Sequence, residues 1–158
     1  MPFAGASELI TRLYLCALTV LMALLAACDN NAKSVAANPN GTRVEIAGGG
    51  SYIKIEPQEL QTLLADKKFP LINVHVPYEG EIENTDANIP YNETDKIVAE
   101  LPADKNAMVV LYCRSGRMSG ETTEALVTLG YTNVWNLDRG MVGWKEAGFP
   151  IITKKLPE

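Results

Sequence analysis

The sequence predicts an α/β domain whose central sheet is mostly parallel and carries helices on both faces. Three observations lead there. A short β-rich run stands at 52–55, and largely apolar runs of the kind that make buried strands stand at 71–74, 108–112 and 134–137. Segments with apolar residues at helical spacing separate them. Strands that read as continuous apolar runs are buried on both faces, and helical crossovers between them make the pairing parallel.

Each element has its own justification. Pro57 sits where the first turn of a helix accepts proline, and Leu60, Leu63 and Leu64 follow at helical spacing. The run Leu71-Ile72-Asn73-Val74 is the next strand, and a polar loop extends from His75 to Asn92. Ile97, Val98 and Leu101 suggest a short helix ended by Pro102. Met108 to Tyr112 is a third strand. Leu126 and Leu129 lie on one face of a helix over 119–129, and Gly130 fits its C-terminal cap. Val134 to Leu137 is a fourth strand, followed by a helix through Met141 and Trp144. No internal repeat is visible.

Composition narrows the function. A length of 158 residues suits one domain, and 47% hydrophobic with 21% charged residues is an ordinary globular balance. A net charge of −5 gives no electrostatic grip on nucleic acid. One histidine and three cysteines do not make a four-ligand zinc site without carboxylates, so no metal is expected.

The N-terminus carries a targeting signal. Fifteen uncharged residues run from Leu13 to Ala27, directly after Arg12. A spanning helix needs about 20 apolar residues, whereas a secretory core uses about 7–15. The run ends at Leu25-Ala26-Ala27-Cys28, which resembles the lipobox of bacterial lipoproteins. That resemblance implies cleavage before Cys28 and a lipid on Cys28; the alternative is a short anchor that is never cleaved. Asp29 resembles the enterobacterial signal for retention at the inner membrane. The implied location is the cell envelope, on the periplasmic face of that membrane. The expected organisation is a signal peptide over 1–27, a flexible tether over 28–51 and a folded domain over 52–158. The tether is rich in Asn, Ala, Gly and Ser, with Gly48-Gly49-Gly50 as a hinge. Cys16 leaves with the signal, so Cys113 is the one free thiol of the mature chain.

The loop Tyr112-Cys113-Arg114-Ser115-Gly116-Arg117-Met118-Ser119 lies between a buried strand and a helix, at the strand end where open α/β sheets place their ligands. A tight loop there turns backbone N–H groups inward as an anion nest. The next helix aims its positive dipole end at the same point, and Arg114 and Arg117 add two cations. All three effects favour thiolate over thiol without a neighbouring base. Gly116 allows the backbone conformation such a loop needs.

This segment resembles the active-site loop of the rhodanese family. Leu71-Ile72-Asn73-Val74, Val134-Trp135-Asn136-Leu137-Asp138-Arg139-Gly140, Trp144 and Gly148-Phe149-Pro150 resemble further family signatures in the same order, over about residues 52–152. The resemblance implies a rhodanese-like fold and sulfurtransferase chemistry without a cofactor. Cys113 would take the outer sulfur of thiosulfate or a related sulfane donor and hold it as a persulfide. A small thiol, cyanide or a thioredoxin-like protein would then accept it. The amides of Arg114, Ser115, Gly116, Arg117, Met118 and Ser119 would bind the anionic persulfide, and the two arginines would attract the donor.

Two departures stand out. Asn73-Val74-His75 replaces the family's usual Asp-Val-Arg, which removes an expected ion pair. An acidic segment, 78–90, replaces the usual Gly-His-Ile-Pro-Gly-Ala; at the mouth of the site it would repel small anions. Its acids could also bind a cation, although a solvated loop explains them better. Other readings remain. Cys113 could be a buried, inert thiol. A cysteine phosphatase would need arginine where Ser119 stands. A non-catalytic binding or persulfide-sensing module could use the same cleft.

Overall fold

The computed structural model describes residues 41–154. The expected signal peptide, the lipidation at Cys28 and the tether up to Asn40 lie outside the described residues. Thr42–Glu45 forms β1 and Ser51–Ile55 forms β2. Helix α1 is Pro57–Leu64, strand β3 is Leu71–Asn73 and strand β4 is Ala87–Asn88. Then come α2 (Thr94–Ala99), β5 (Val109–Tyr112), α3 (Arg117–Thr128), β6 (Val134–Leu137) and α4 (Gly140–Glu146). The strands form one sheet in the order β1-β2-β6-β5-β3-β4. Every pairing is parallel except β1 with β2.

The expected tether does not reach Ser51. Its last part is β1, paired from Thr42↔Lys54 to Glu45↔Ser51. Gly48, Gly49 and Gly50 are not a hinge but the reversal of this hairpin, closed by Ile46 N–H donating to the Gly50 carbonyl at 3.1 Å. The strand escaped sequence reading because its side chains are mostly exposed and backbone bonds hold it. The polar loop after β3 also contains a strand. Residues 87–88 pair with β3 at Ile72↔Ala87 and Asn73↔Asn88.

Local signals account for the helix ends. The Glu56 amide donates to Glu59 Oε2 at 2.9 Å just before Pro57, which starts α1. Helix α3 ends in a Schellman pair: Gly130 N–H donates to Val127 and Tyr131 N–H to Leu126.

Two apolar clusters sandwich the sheet. One joins Ile72, Val74, Val109, Leu111 and Cys113 to Ile97 of α2 and Leu126 of α3. The other joins Leu71, Val110, Tyr112 and Leu137 to Leu60 of α1 and to Met141 and Trp144 of α4. A fully buried Val, Leu, Ile or Met among them contributes about 1.5–3 kcal/mol. Strand β5 feeds both clusters in alternation, which is why it is apolar throughout. Carried one residue further, the same alternation turns Cys113 toward the α2/α3 face and Tyr112 toward the α1/α4 face.

Candidate active site

Cys113 follows β5 at the carboxyl edge of the sheet. Gly116, at φ +89°, makes the turn into α3, a conformation that costs other residues about 1–2 kcal/mol. The turn brings the Gly116 amide to donate to Cys113 Sγ at 3.1 Å. The Ser119 hydroxyl, one turn along α3, lies 3.5 Å from the same sulfur and 3.3 Å from the Gly116 carbonyl. At a helix start the first N–H groups have no intrahelical acceptor, and the positive dipole end is there. In α3 these are the groups of Arg117, Met118 and Ser119.

A second helix start braces the loop from behind. Met141 N–H donates to the Cys113 carbonyl and Val142 N–H to the Arg114 carbonyl, each at 2.9 Å. This needs glycine at position 140. Gly140 has φ +52°, and a β-carbon there would overlap the Cys113 carbonyl oxygen and lie 2.9 Å from the Arg114 carbonyl carbon. Sequence reading placed Gly140 in a family signature without giving it this role. Its signal was a glycine at a helix start directly after the last buried strand.

The predicted loop residues separate in space. Arg114 and Ser115 are exposed, Gly116 and Met118 half-buried and Ser119 buried. Cys113 itself is only 1% exposed, because it continues the inward alternation of β5. Its sulfur still has two donors, so it is not wrapped in apolar groups alone. Neither arginine is a free cation. Arg114 Nη1 lies 3.3 Å from Glu79 Oε1, and Arg117 Nη1 lies 2.5 Å from Glu121 Oε1, one helical turn away.

The acidic segment is mostly structural rather than a repelling rim. Glu81 is fully buried; its Oε2 accepts from Asn88 at 2.6 Å and Tyr78 at 3.2 Å, and Lys154 Nζ lies 2.5 Å from its Oε1. The hydrogen bond to Glu81 raises the Lys154 pKa above its ordinary value. Asp86 accepts from the Leu71 amide at 2.7 Å and from Lys67 at 2.6 Å. Glu79 is the acid of this segment that reaches the cysteine loop. Asn73 is a packing residue. Its amide donates to the Gly80 carbonyl at 3.1 Å, and its oxygen accepts from His75 N–H at 3.0 Å. His75 Nε2 lies 3.6 Å from Glu79 Oε1, and among the described residues neither buried ring nitrogen has a hydrogen-bond partner.

Tyr112 anchors the same segment from the opposite face. Its hydroxyl oxygen accepts from the Ile82 amide at 3.0 Å and lies 2.6 Å from Thr85 Oγ1. Burial pushes its pKa up, against the opposing pull of these hydrogen bonds. Among the described residues no group of three or more His, Cys, Asp or Glu is placed to hold a metal, and no helix is long and apolar enough to cross a membrane.

Against known families, the rhodanese-like domain matches residues 56–147, more than half of the chain. The chain belongs to the rhodanese family. Thiosulfate sulfurtransferase PspE of Escherichia coli is 40% identical over 67 residues, 41% of this chain and 64% of its own length. A sulfurtransferase of Allochromatium vinosum is 32% identical over 103 residues, 63% of this chain and 94% of its own. The chain spans about three fifths of the length of the first curated relatives it matches. The crystal structure of a rhodanese-related protein from Thermoplasma volcanium superimposes with a TM-score of 0.55 at 27% identity, over 64% of this chain and 98% of that one. The α/β architecture with a mostly parallel sheet is therefore that of rhodanese-like domains, as expected.

Proposed function

We propose that this rhodanese is a sulfurtransferase that carries a sulfane sulfur as a persulfide on Cys113. The observation that carries the reading is the Gly116 amide pointed at Cys113 Sγ from 3.1 Å, at a helix start. The Cys113 thiolate attacks the outer sulfur of thiosulfate or an organic persulfide. The donor's S–S bond breaks, its electron pair leaves with sulfite or thiolate, and a new S–S bond forms on Cys113. The charge now sits on the outer sulfur, where the first-turn amides of α3 stabilise it. A small thiol, cyanide or a thioredoxin-like protein then takes the sulfur. With Cys113 1% exposed, donor entry needs local opening of the α2/α3 face, where half-buried Met118 packs on the same cluster.

Intact-mass spectrometry of the full chain tests this. Donor adds the mass of one sulfur atom to the wild type and none to Cys113→Ser, whose thermal unfolding stays within a few degrees of the wild type. A binding module is the second reading, favoured by the closed thiol and the paired arginines. No mass gain with thiosulfate or an organic persulfide selects it.

The N-terminal segment supports a lipid anchor at Cys28 on the periplasmic face of the inner membrane. In bacterial cells the wild type is then expected to incorporate labelled fatty acid, and Cys28→Ala to incorporate none; equal labelling would overturn the anchor.

A further inference from the structure

We propose that Glu79 is a specificity-determining residue: its carboxylate screens Arg114, so the site discriminates against doubly charged sulfur donors in favour of singly charged ones. This deepens the sulfurtransferase reading and rests on it.

Arg114 directly follows the sulfur-bearing residue, and α4 fixes its carbonyl. Its side chain is 59% exposed beside the loop, so its guanidinium adds to the field that an anion near the loop feels. That charge is already met by Glu79 Oε1 at 3.3 Å. The same oxygen is 3.6 Å from His75 Nε2, so Glu79 sits between the end of β3 and the cysteine loop. The backbone around it is fixed. Asn73 holds the Gly80 carbonyl, and Glu81 N–H and carbonyl both bond Ile152, at 2.8 and 2.9 Å. Glu79 is thus presented by a segment clamped between β3 and the C-terminal residues 151–153. The other cation of the loop, Arg117, is paired with Glu121. The loop keeps its amides for a bound anion but presents little net positive charge to an incoming one.

Donors feel this in proportion to charge. Transfer from thiosulfate, a dianion, releases sulfite. Transfer from an organic persulfide, R–S–S⁻, releases the thiolate R–S⁻. In both, one S–S bond breaks as the bond to Cys113 forms, so the chemistry is alike and charge differs. Removing one negative charge several ångströms from the path, largely in water, raises capture of a dianion about five- to tenfold and of a monoanion about two- to threefold. Salt erases most of that difference.

The test is the kcat/KM of the full chain for thiosulfate and for glycerol-derived persulfide, an otherwise uncharged organic donor, at low and high ionic strength. Glu79→Gln is expected to raise the thiosulfate value about five- to tenfold, mainly through KM, and the persulfide value by less, with both gains shrinking in salt. Equal gains for the two donors, no gain for thiosulfate, or a gain indifferent to salt would overturn the proposal. The wild type gives an independent check that needs no variant. Its thiosulfate kcat/KM is expected to stay level or rise with salt, and a steep fall would reveal an unscreened cation and overturn the idea. If Cys113 gains sulfur from both donors but charge has no effect, this inference alone fails. If neither donor loads Cys113, the sulfurtransferase reading fails with it.

Discussion

Two loops leave adjacent parallel strands at the same edge of the sheet, and one leans on buried polar side chains where the other does not. The loop after β5 is short and is held by backbone. The Gly116 amide bonds the sulfur, and the first amides of α4 bond the carbonyls of Cys113 and Arg114. The loop after β3 is long, and its backbone pairing with β3 and Ile152 is supplemented by side chains: Asn73, Glu81, Asp86 and the Tyr112 hydroxyl. A backbone-held loop depends on the absence of side-chain bulk at a few glycines. The longer loop depends in addition on several polar groups, each of which can be removed singly. The reactive residue sits on the loop whose geometry does not depend on rotamers, and the residue that tunes its charge sits on the other.

The largest expected effect breaks the backbone-held loop. Gly140→Ala puts a β-carbon against the Cys113 carbonyl in a left-handed conformation. A loss on the order of 3 kcal/mol in urea unfolding is expected, together with loss of sulfur loading. A stable, fully loading variant would show that α4 does not brace the loop. Next comes Glu81→Ala, which leaves Asn88 and Tyr78 without their shared acceptor. It is expected to cost about 2 kcal/mol, with the sulfur-loading rate reduced less than in Gly140→Ala. The reverse ranking would erase the distinction between the loops.

Tyr112→Phe is expected to cost about 1 kcal/mol at neutral pH, because the Ile82 amide loses its acceptor and Thr85 keeps only the Ile82 carbonyl. It also changes the alkaline limb. Since burial raises the Tyr112 pKa, the unfolded chain releases this proton first as pH climbs past about 10. The Tyr112 contribution is therefore whole below pH 10 and lost above it. Unfolding measured against pH is expected to fall less steeply above pH 10 in Tyr112→Phe than in the wild type; equal slopes would contradict the buried hydroxyl. The smallest effect is Lys67→Met, which removes one partner of Asp86 but leaves the Leu71 amide on it. Less than about 0.5 kcal/mol is expected, and a larger loss would mean that this ion pair, not the amide, holds the loop.

The same contrast explains what could be read from sequence. The 113–119 loop was legible because its parts are contiguous: a buried strand, a cysteine, a glycine and a helix start. The apolar run 108–112 placed its strand, found at Val109–Tyr112, and Gly130 marked the end of α3. The roles of Glu79, Glu81 and Tyr112 were not legible. Their partners lie many residues away: Arg114 for Glu79, Lys154 for Glu81, Ile82 and Thr85 for Tyr112. Acids read as a repelling rim became a buried anchor and a counter-ion. Strand β1 was missed because exposed side chains leave no period for a reader to find.

By itself, the chain's sequence determined the α/β class, the order of its buried strands and helices, and the place of the cysteine at a strand end. Those follow from hydrophobic period and turn chemistry, which act between neighbours. Only the tertiary structure decided that the thiol faces inward, that Arg114 is paired with Glu79, and that a glycine far along the chain braces the loop. Those depend on which groups the sheet brings within a few ångströms of one another, where burial and charge compensation are set by contact rather than by spacing along the chain.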